Sequence, residues 1–347
     1  MSQPEPTRGG RLRAYFHFLL AVLFYFFART LATHTSQVVA DDRWSPLVNQ
    51  ILLAVLLFLG YAVMGFWLNR QQSPISEQGL PPRADWFGEA GSGLAFGWCL
   101  ALVCVLPLTV FGGIAVSFSF DAPSWGWFAI DAAFFLFAAL AEEIAFRGYG
   151  FQRFARAVGP FGATVGFALF YAIVQGLLPG ASRASFFVSL ALGLLLSTAY
   201  LRTNALWLSW GLNFGWKVTR ALLFGLAVNG VSSNSPVIQG DPMGPFWLTG
   251  GGFGLDASWA AFIVLLVAIP VLYRVTGDLN FRYNAPLIVG AGIPVDLDAA
   301  ARAQHTAAMG EPEPSAPVLV QIGPVTPAAP STIPAPPNSP GPGPQTL

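Results

Sequence analysis

Two adjacent glutamates and a nearby arginine at the end of a long apolar run are the residues of this sequence best suited to chemistry. They are Glu142, Glu143 and Arg147, and the run that precedes them extends from about Gly126 to Phe146. A run of this length can cross a bilayer, which needs ~20 apolar residues. Ionisable groups at membrane depth are costly and are retained mainly where they have a partner or a function. The cluster is therefore the first candidate site, and the alternative is a charge cluster at a helix end on the membrane interface.

Helical geometry places the side chains of Glu142 and Glu143 in different surroundings. Residues four apart are neighbours on a helix, so we expect Glu143 to pair with Arg147 along one stripe. Glu142 then points about 100° away from that stripe, toward another helix, and its carboxylate is expected to be free. A free carboxylate in an apolar pocket can act as a general base.

The composition places the cluster in a membrane protein. Of the 347 residues, 54% are hydrophobic and 10% are charged, whereas a soluble domain carries about 25% charge. The lipid bilayer of a cell membrane is therefore the expected surrounding. The formal net charge is zero, which indicates no nucleic-acid partner. The spacing of Cys and His residues does not match a metal site, so no cofactor and no metal are expected.

Apolar runs predict the fold class, an all-α polytopic transmembrane helix bundle of about eight spans. The predicted spans are residues 14–33, 47–68, 92–116, 126–146, 161–178, 185–201, 206–227 and 258–275. A cytoplasmic amino-terminal segment (1–12) precedes the bundle (13–285). The Pro/Ala-rich composition of residues 294–347 predicts a disordered cytoplasmic tail.

Arginine positions predict the orientation. With the amino terminus inside, twelve of the 17 basic residues fall on the cytoplasmic side, while Arg29, Arg43 and Arg183 fall on the opposite side. This distribution satisfies the positive-inside rule and predicts a multi-pass protein with both termini cytoplasmic. The glutamate pair then lies toward the cytoplasmic end of the fourth span, and a polar core accessible from the cytoplasm is expected.

Two further stretches make a resemblance specific. Residues 200–217 read YLRTNALWLSWGLNFGWK, and residues 247–254 read WLTGGGFG. Together with the glutamate pair they resemble the CPBP family, the CAAX-type and bacteriocin-processing intramembrane endopeptidases. The resemblance covers about residues 90–275. It implies a helical core in the membrane and cleavage of a peptide bond in a membrane-associated protein or peptide.

The three motifs of that family transfer unequally. The pattern E-E-x-x-x-R falls intact on Glu142, Glu143 and Arg147. The histidine of F-x-x-x-H, counted from Phe170, falls on Val174 or, with a shift of one residue, on Gln175. The third pattern, H-x-x-x-N or H-x-x-x-D, falls on Asn213 and Lys217. Asn213 and Lys217 both depart from the family pattern, but they complete a set of five candidate catalytic residues: Glu142, Glu143, Arg147, Asn213 and Lys217.

The resemblance implies that Glu142 activates a water while Arg147 holds Glu143. Asn213 keeps a donor that can stabilise an oxyanion, and Lys217, one turn further on, can do the same. Yet a lysine beside Glu142 would occupy its lone pairs and weaken it as a base. In an older view of the family, the motif histidines bind a zinc ion. Zinc is not expected here because those histidine ligands are missing.

Two other interpretations remain. An inactive family member can use the same cavity as a membrane binding or scaffold protein, with the charges forming a closed ion network. A transporter is less favoured because the charges are concentrated in two helices. The sequence leaves the surroundings of two more charged residues undecided: Asp131 could lie at the outer interface, and Arg220 could pair with a lipid headgroup or with Asp131.

Overall fold

The computed structural model describes residues 8–70, 74–283, 288–290 and 293–295. One unit, Met1–Pro286, contains the helices. Its longer helices are α1 (Arg8–Val39), α2 (Ser45–Asn69), α4 (Trp86–Val110), α5 (Ala122–Arg147), α6 (Tyr149–Gly176), α7 (Arg183–Thr203), α8 (Leu206–Val218) and α10 (Trp259–Val275). Its shorter elements are α3 (Pro74–Glu77), α9 (Phe246–Thr249), α11 (Gly277–Tyr283) and the paired antiparallel strands β1 (Ile114–Phe118) and β2 (Ile238–Pro242).

Each of the eight predicted apolar runs lies on a helix, and the all-α bundle is confirmed. Among the described residues, five segments are long and apolar enough to cross a membrane, and one of them, Ala122–Gly176, contains both α5 and α6. Helix α10 is apolar but shorter, at 17 residues. The chain is therefore a multi-pass membrane protein.

Two helices end earlier than the apolar pattern predicts. The third run was expected to continue to residue 116, but Gly112, at a φ of 73°, turns the chain out of α4 and into β1. The seventh was expected to continue to residue 227, but α8 ends at Val218 and a π-helical turn covers Thr219–Leu223. Hydrophobicity continues past both ends, so the apolar pattern alone could not locate them.

Helix α6 is broken at one glycine. Gly159 has φ 85° and ψ 163°, and Pro160 follows it. A residue before proline is driven out of the helical region, and glycine reaches a positive φ without steric cost. The break separates a first segment that carries Arg153 and Arg156 from the second segment, which runs toward Tyr171 in the core.

Helices α4 and α8 run parallel at very close range. A Cβ added to Gly93 or Gly97 of α4 would lie 2.2 Å from a backbone oxygen of α8. Conversely, a Cβ at Gly211 or Gly215 of α8 would lie 2.0 or 2.4 Å from a backbone oxygen of α4. Small residues spaced four apart allow this approach in membrane helices, where dispersion contacts drive association. The glycine pairs thereby set the position of α8, the helix that carries Asn213 and Lys217.

The orientation in the membrane remains a prediction, and reporter fusions test it. We expect a fusion at Pro160 to be cytoplasmic and a fusion at Asn234 to be on the opposite side, because of the arginine distribution. Paired fluorescent-protein and alkaline-phosphatase fusions at each position measure this, with each reporter serving as the control for the other. Phosphatase activity at Pro160 together with fluorescence at Asn234 would reverse the assignment.

A second unit covers Leu287–Leu347. Its described residues form two short antiparallel strands, β3 (Ile288–Gly290) and β4 (Ile293–Val295). Except for two residues in β4, the predicted Pro/Ala-rich tail of residues 294–347 lies outside the described residues. Residues 1–7 of the predicted amino-terminal segment also lie outside them, while α1 already begins at Arg8.

Candidate functional site

The five predicted site residues come together where α5 and α8 meet, beside α6. Helix α5 supplies Glu142, Glu143 and Arg147, and α8 supplies Asn213 and Lys217. All of them are buried except Glu142, whose side chain is 21% exposed. Glu142, Glu143 and Arg147 lie in the segment Ala122–Gly176, which is long and apolar enough to cross a membrane, and charged groups in such a segment need partners.

Glu143 and Arg147 pair as predicted. Arg147 Nη1 donates to Glu143 Oε1 at 3.1 Å, and both side chains are almost completely buried. Arg147 Nη2 donates to the carbonyl oxygen of Gly193 on α7 at 3.4 Å, and the guanidinium lies 5.3 Å from the centre of the Tyr171 ring. The pair therefore also links α5 to its neighbours α6 and α7.

The carboxylate of Glu142 is not free, contrary to the expectation from the helix geometry. Lys217 Nζ donates to Oε1 at 2.5 Å. Asn213 Nδ2 and the hydroxyl of Tyr171 donate to Oε2 at 3.1 and 3.3 Å. The expectation was wrong because positions on α5 alone do not reveal which groups on α6 and α8 face Glu142.

Asn213 connects the two halves of the cluster. Its Nδ2 donates to Glu143 Oε1 at 3.0 Å as well as to Glu142. The result is one connected network in which two carboxylates are balanced by Arg147 and Lys217. Each buried charge thus has an oppositely charged partner, as burial requires. The hydrogen bonding is incomplete, because Glu143 Oε2, Arg147 Nε and Asn213 Oδ1 are buried without a hydrogen-bond partner.

The two candidate positions for the second-motif histidine lie near the network without replacing an imidazole. Val174 and Gln175 both line the cavity beside Glu142. Gln175 Nε2 donates to Tyr171 Oη at 3.0 Å, and the same hydroxyl donates to Glu142. Tyr171 was missed by the sequence reasoning. Its position one turn before Gln175 and one residue after Phe170 was the available signal.

A cavity of about 200 Å³ reaches Glu142 and Lys217. It is lined mainly by apolar and aromatic side chains of α1, α2, α5 and α6, and also by Arg29 and Val231. Arginine counting assigns both Arg29 and the loop that contains Val231 to the non-cytoplasmic side. The predicted orientation and the expected access from the cytoplasm therefore cannot both be right, because with that orientation the cavity approaches the network from the non-cytoplasmic end.

Asp131 and Arg220 do not pair with each other. Asp131 is buried and accepts hydrogen bonds from Ser235 N and Ser233 Oγ at 2.8 and 2.9 Å, so it anchors the loop after α8. Arg220 Nη1 lies 2.9 Å from Asp256 Oδ1. The alternatives of an Asp131 pair and of a lipid headgroup are thus replaced by Asp256, a partner that the sequence reasoning missed.

The WLTGGGFG stretch explains how Asp256 is positioned. A Cβ at Gly254 would lie 1.9 Å from the carbonyl oxygen of Ala227, so only glycine allows this loop to approach the segment after α8. Asp256 then accepts a hydrogen bond from the backbone N–H of Asn229 at 2.9 Å. Asn229 lines the cavity, so this loop helps to form one of its walls.

The donor set does not fit a zinc ion. In the part of the chain that the structure describes, no group of three His, Cys, Asp or Glu side chains converges. The carboxylates of Glu142 and Glu143 face cationic and amide N–H donors, which are not metal ligands, whereas zinc takes Cys, His and carboxylate ligands. The expectation that the protein binds no metal stays a prediction.

Fold and site together define a multi-pass helical membrane protein with a buried carboxylate and cation network between its helices. Residues 124–219 match the family described as Rce1-like, type II CAAX prenyl endopeptidase. This match confirms the resemblance to the CPBP family over the segment that contains all five site residues. No curated protein and no solved structure matches the chain.

Proposed function

We propose that this chain is a non-hydrolysing relative of the CAAX-type intramembrane proteases that binds a membrane-associated peptide or protein. The observation that carries the proposal is the ion pair between Lys217 Nζ and Glu142 Oε1 at 2.5 Å. A general base must offer a lone pair to the water that it deprotonates. Here Oε1 accepts from the Lys217 ammonium and Oε2 accepts from both Asn213 and Tyr171, so protein donors already occupy three of the about four lone-pair sites of Glu142.

The absence of both motif histidines supports the same proposal. Peptide hydrolysis needs a proton carrier for the leaving amine as well as a base for the water. An imidazole can carry this proton, whereas the side chain of Val174 has no ionisable group and the amide of Gln175 does not titrate. Asn213 and Lys217 are both engaged with the glutamates, so their donors are directed at the network and away from a substrate carbonyl.

What the site retains is a binding cavity. Phe134, Phe135 and Leu53 supply apolar walls, and Gln50 and Asn229 supply polar groups at its lining. Apolar walls with a few oriented polar groups are typical of sites that bind small ligands or side chains. Because the cavity volume is about 200 Å³, it suits one or two side chains of a membrane-inserted peptide.

One observation favours a second candidate, an endopeptidase that uses Glu142. The side chain of this glutamate is 21% exposed and borders the cavity, so a substrate could approach it. For hydrolysis, Lys217 would have to move away and release Oε1 when the substrate binds. The two candidates predict opposite results with a peptide substrate.

We expect no cleavage by the native chain of a farnesylated peptide that ends in a CAAX sequence, because Glu142 is held by Lys217. The protein is reconstituted in liposomes, and release of the carboxy-terminal fragment is measured by mass spectrometry against the Glu142→Gln variant. Equal background in both proteins is the expected result. Cleavage by the native chain that disappears in Glu142→Gln would establish the endopeptidase instead.

Binding of the same farnesylated peptide, now with a fluorescent label attached, should be saturable and should depend on the cavity. Val231 is exposed and lines the cavity, so Val231→Trp should narrow its entrance and weaken binding by about tenfold, a loss of about 1.4 kcal/mol. Val110→Trp is the matched control, because Val110 is exposed and is not among the residues that line the cavity. Equal affinity in the native chain and in both variants would contradict binding at this cavity.

A further inference from the structure

A second and larger cavity lies away from the glutamate network. Its volume is about 1120 Å³, and it is formed by the first part of α1, the end of α2 and the first segment of α6. None of the residues that line it also lines the cavity beside Glu142. It contains five arginines and one histidine: Arg11, Arg13, Arg70, Arg153, Arg156 and His17.

Each structural element directs its cations to this cavity for a local reason. Arg13 and His17 are four residues apart on α1 and therefore share a face. Arg153 and Arg156 are three apart on α6, and the break at Gly159 follows them and also lines the cavity. Arg70 caps the end of α2 in the left-handed conformation, at a φ of 50°.

The cations here are more than a cytoplasmic excess of basic residues. The positive-inside rule requires basic loops but does not require their side chains to converge on one cavity. Arg153 is 2% exposed, and its guanidinium lies 5.1 Å from the centre of the Tyr149 ring. Arg13 Nη2 donates to the carbonyl oxygen of Leu68 at 3.2 Å, which holds it beside the end of α2.

Three of these arginines, Arg13, Arg70 and Arg156, have no acidic partner among the residues described. None of the described lining residues is acidic, so these three charges repel one another and together attract an anion. Arginine binds phosphate with two parallel N–H donors, and charge-assisted hydrogen bonds of this kind are the strong ones. A basic pocket between transmembrane helices suits an anionic phosphate group at the membrane surface.

We propose that this arginine cavity is a binding site for an anionic phosphate group, supplied either by a phospholipid headgroup or by a soluble phosphate. The cavity is large enough for a phospholipid headgroup, because typical small-molecule sites have volumes of about 300 to 1000 Å³. Its position at the ends of α1 and α2 is where headgroups meet a membrane protein. The site is independent of the proposed function, because it shares no residue with the glutamate network.

Thermal melting of the full chain in an uncharged maltoside detergent tests the site. The probes are phosphatidylglycerol, phosphatidylcholine and inorganic phosphate, each titrated separately. Phosphatidylglycerol should raise the melting midpoint saturably, and phosphatidylcholine should not. If inorganic phosphate protects and phosphatidylglycerol does not, the site takes a soluble phosphate. Protection that is equal with phosphatidylglycerol and phosphatidylcholine would overturn the preference for an anionic group.

Variants locate the effect. Arg70 and Arg156 are exposed, so the Arg70→Gln and Arg156→Gln double variant should fold and should need at least about tenfold more phosphatidylglycerol for half of the midpoint shift. The corresponding lysine double variant keeps the charge and loses the two-donor geometry, so we expect an intermediate response. The matched control replaces Arg43 and Arg183, which are exposed elsewhere, with glutamine. An unchanged response in the Arg70 and Arg156 variant, or an equal loss in the control, would overturn the proposal.

Discussion

Replacing Lys217 with alanine should lower the free energy of unfolding by about 3–5 kcal/mol, as should replacing Glu142 with alanine, because either change leaves a partly or fully buried charge without its partner. The double variant should recover part of this loss, since it removes the pair together. Thermal melting in detergent measures all three proteins against the native chain. The 2.5 Å contact between Lys217 Nζ and Glu142 Oε1 is the physical basis of the expected coupling.

A second double-mutant cycle, with Asp131 in place of Glu142, shows whether the coupling between Glu142 and Lys217 is specific. Asp131 lies on the same helix as Glu142, but its hydrogen bonds go to Ser233 and Ser235. Asp131→Ala combined with Lys217→Ala should therefore give additive losses, because the two residues share no partner. If Glu142→Ala leaves the stability nearly unchanged and does not couple to Lys217→Ala, the ion network is not what holds these helices together. In that case Glu142 would be free for chemistry.

Gly211→Ala should destabilise the bundle by about 3 kcal/mol, because the new methyl group would overlap the backbone of α4. The Cβ would lie 2.0 Å from the carbonyl oxygen of Ala90, and a backbone atom cannot rotate away as a side chain can. Separation of the two helices would also shift Asn213 and Lys217, two residues and six residues further along α8. Thermal melting in detergent measures the loss.

Gly91→Ala is the matched control for this prediction. Gly91 is on α4, the helix that contacts Gly211, but a Cβ added there would meet nothing within 4 Å. Because alanine is the better helix former by about 1 kcal/mol, this variant should be as stable as the native chain or slightly more stable. Equal melting midpoints for Gly211→Ala and Gly91→Ala would show that the close contact between α4 and α8 is not required.

The helices themselves, and part of the site, follow from local features of the sequence. Each of the eight apolar runs became a helix, since the length of an apolar run and its exclusion of charge are local properties. The pair of Glu143 with Arg147 also follows from local geometry, because a spacing of four residues makes neighbours on any helix. The match over residues 124–219 adds that this segment is similar to the Rce1-like family of CAAX prenyl endopeptidases.

The tertiary structure decided which helix faces meet. In water, an amphipathic helix reveals its buried face by its polar residues, but a membrane helix is apolar toward both lipid and protein. The sequence of α5 therefore could not show that Glu142 faces Lys217, 75 residues later in the chain. For the same reason Arg220 could not be assigned to Asp256, and the end of the bundle from which the cavity reaches Glu142 could not be read from the sequence. These contacts depend on how closely α4 and α8 approach each other at their glycines. The pattern of apolar and charged residues along the chain does not show which distant segments pack together in this way.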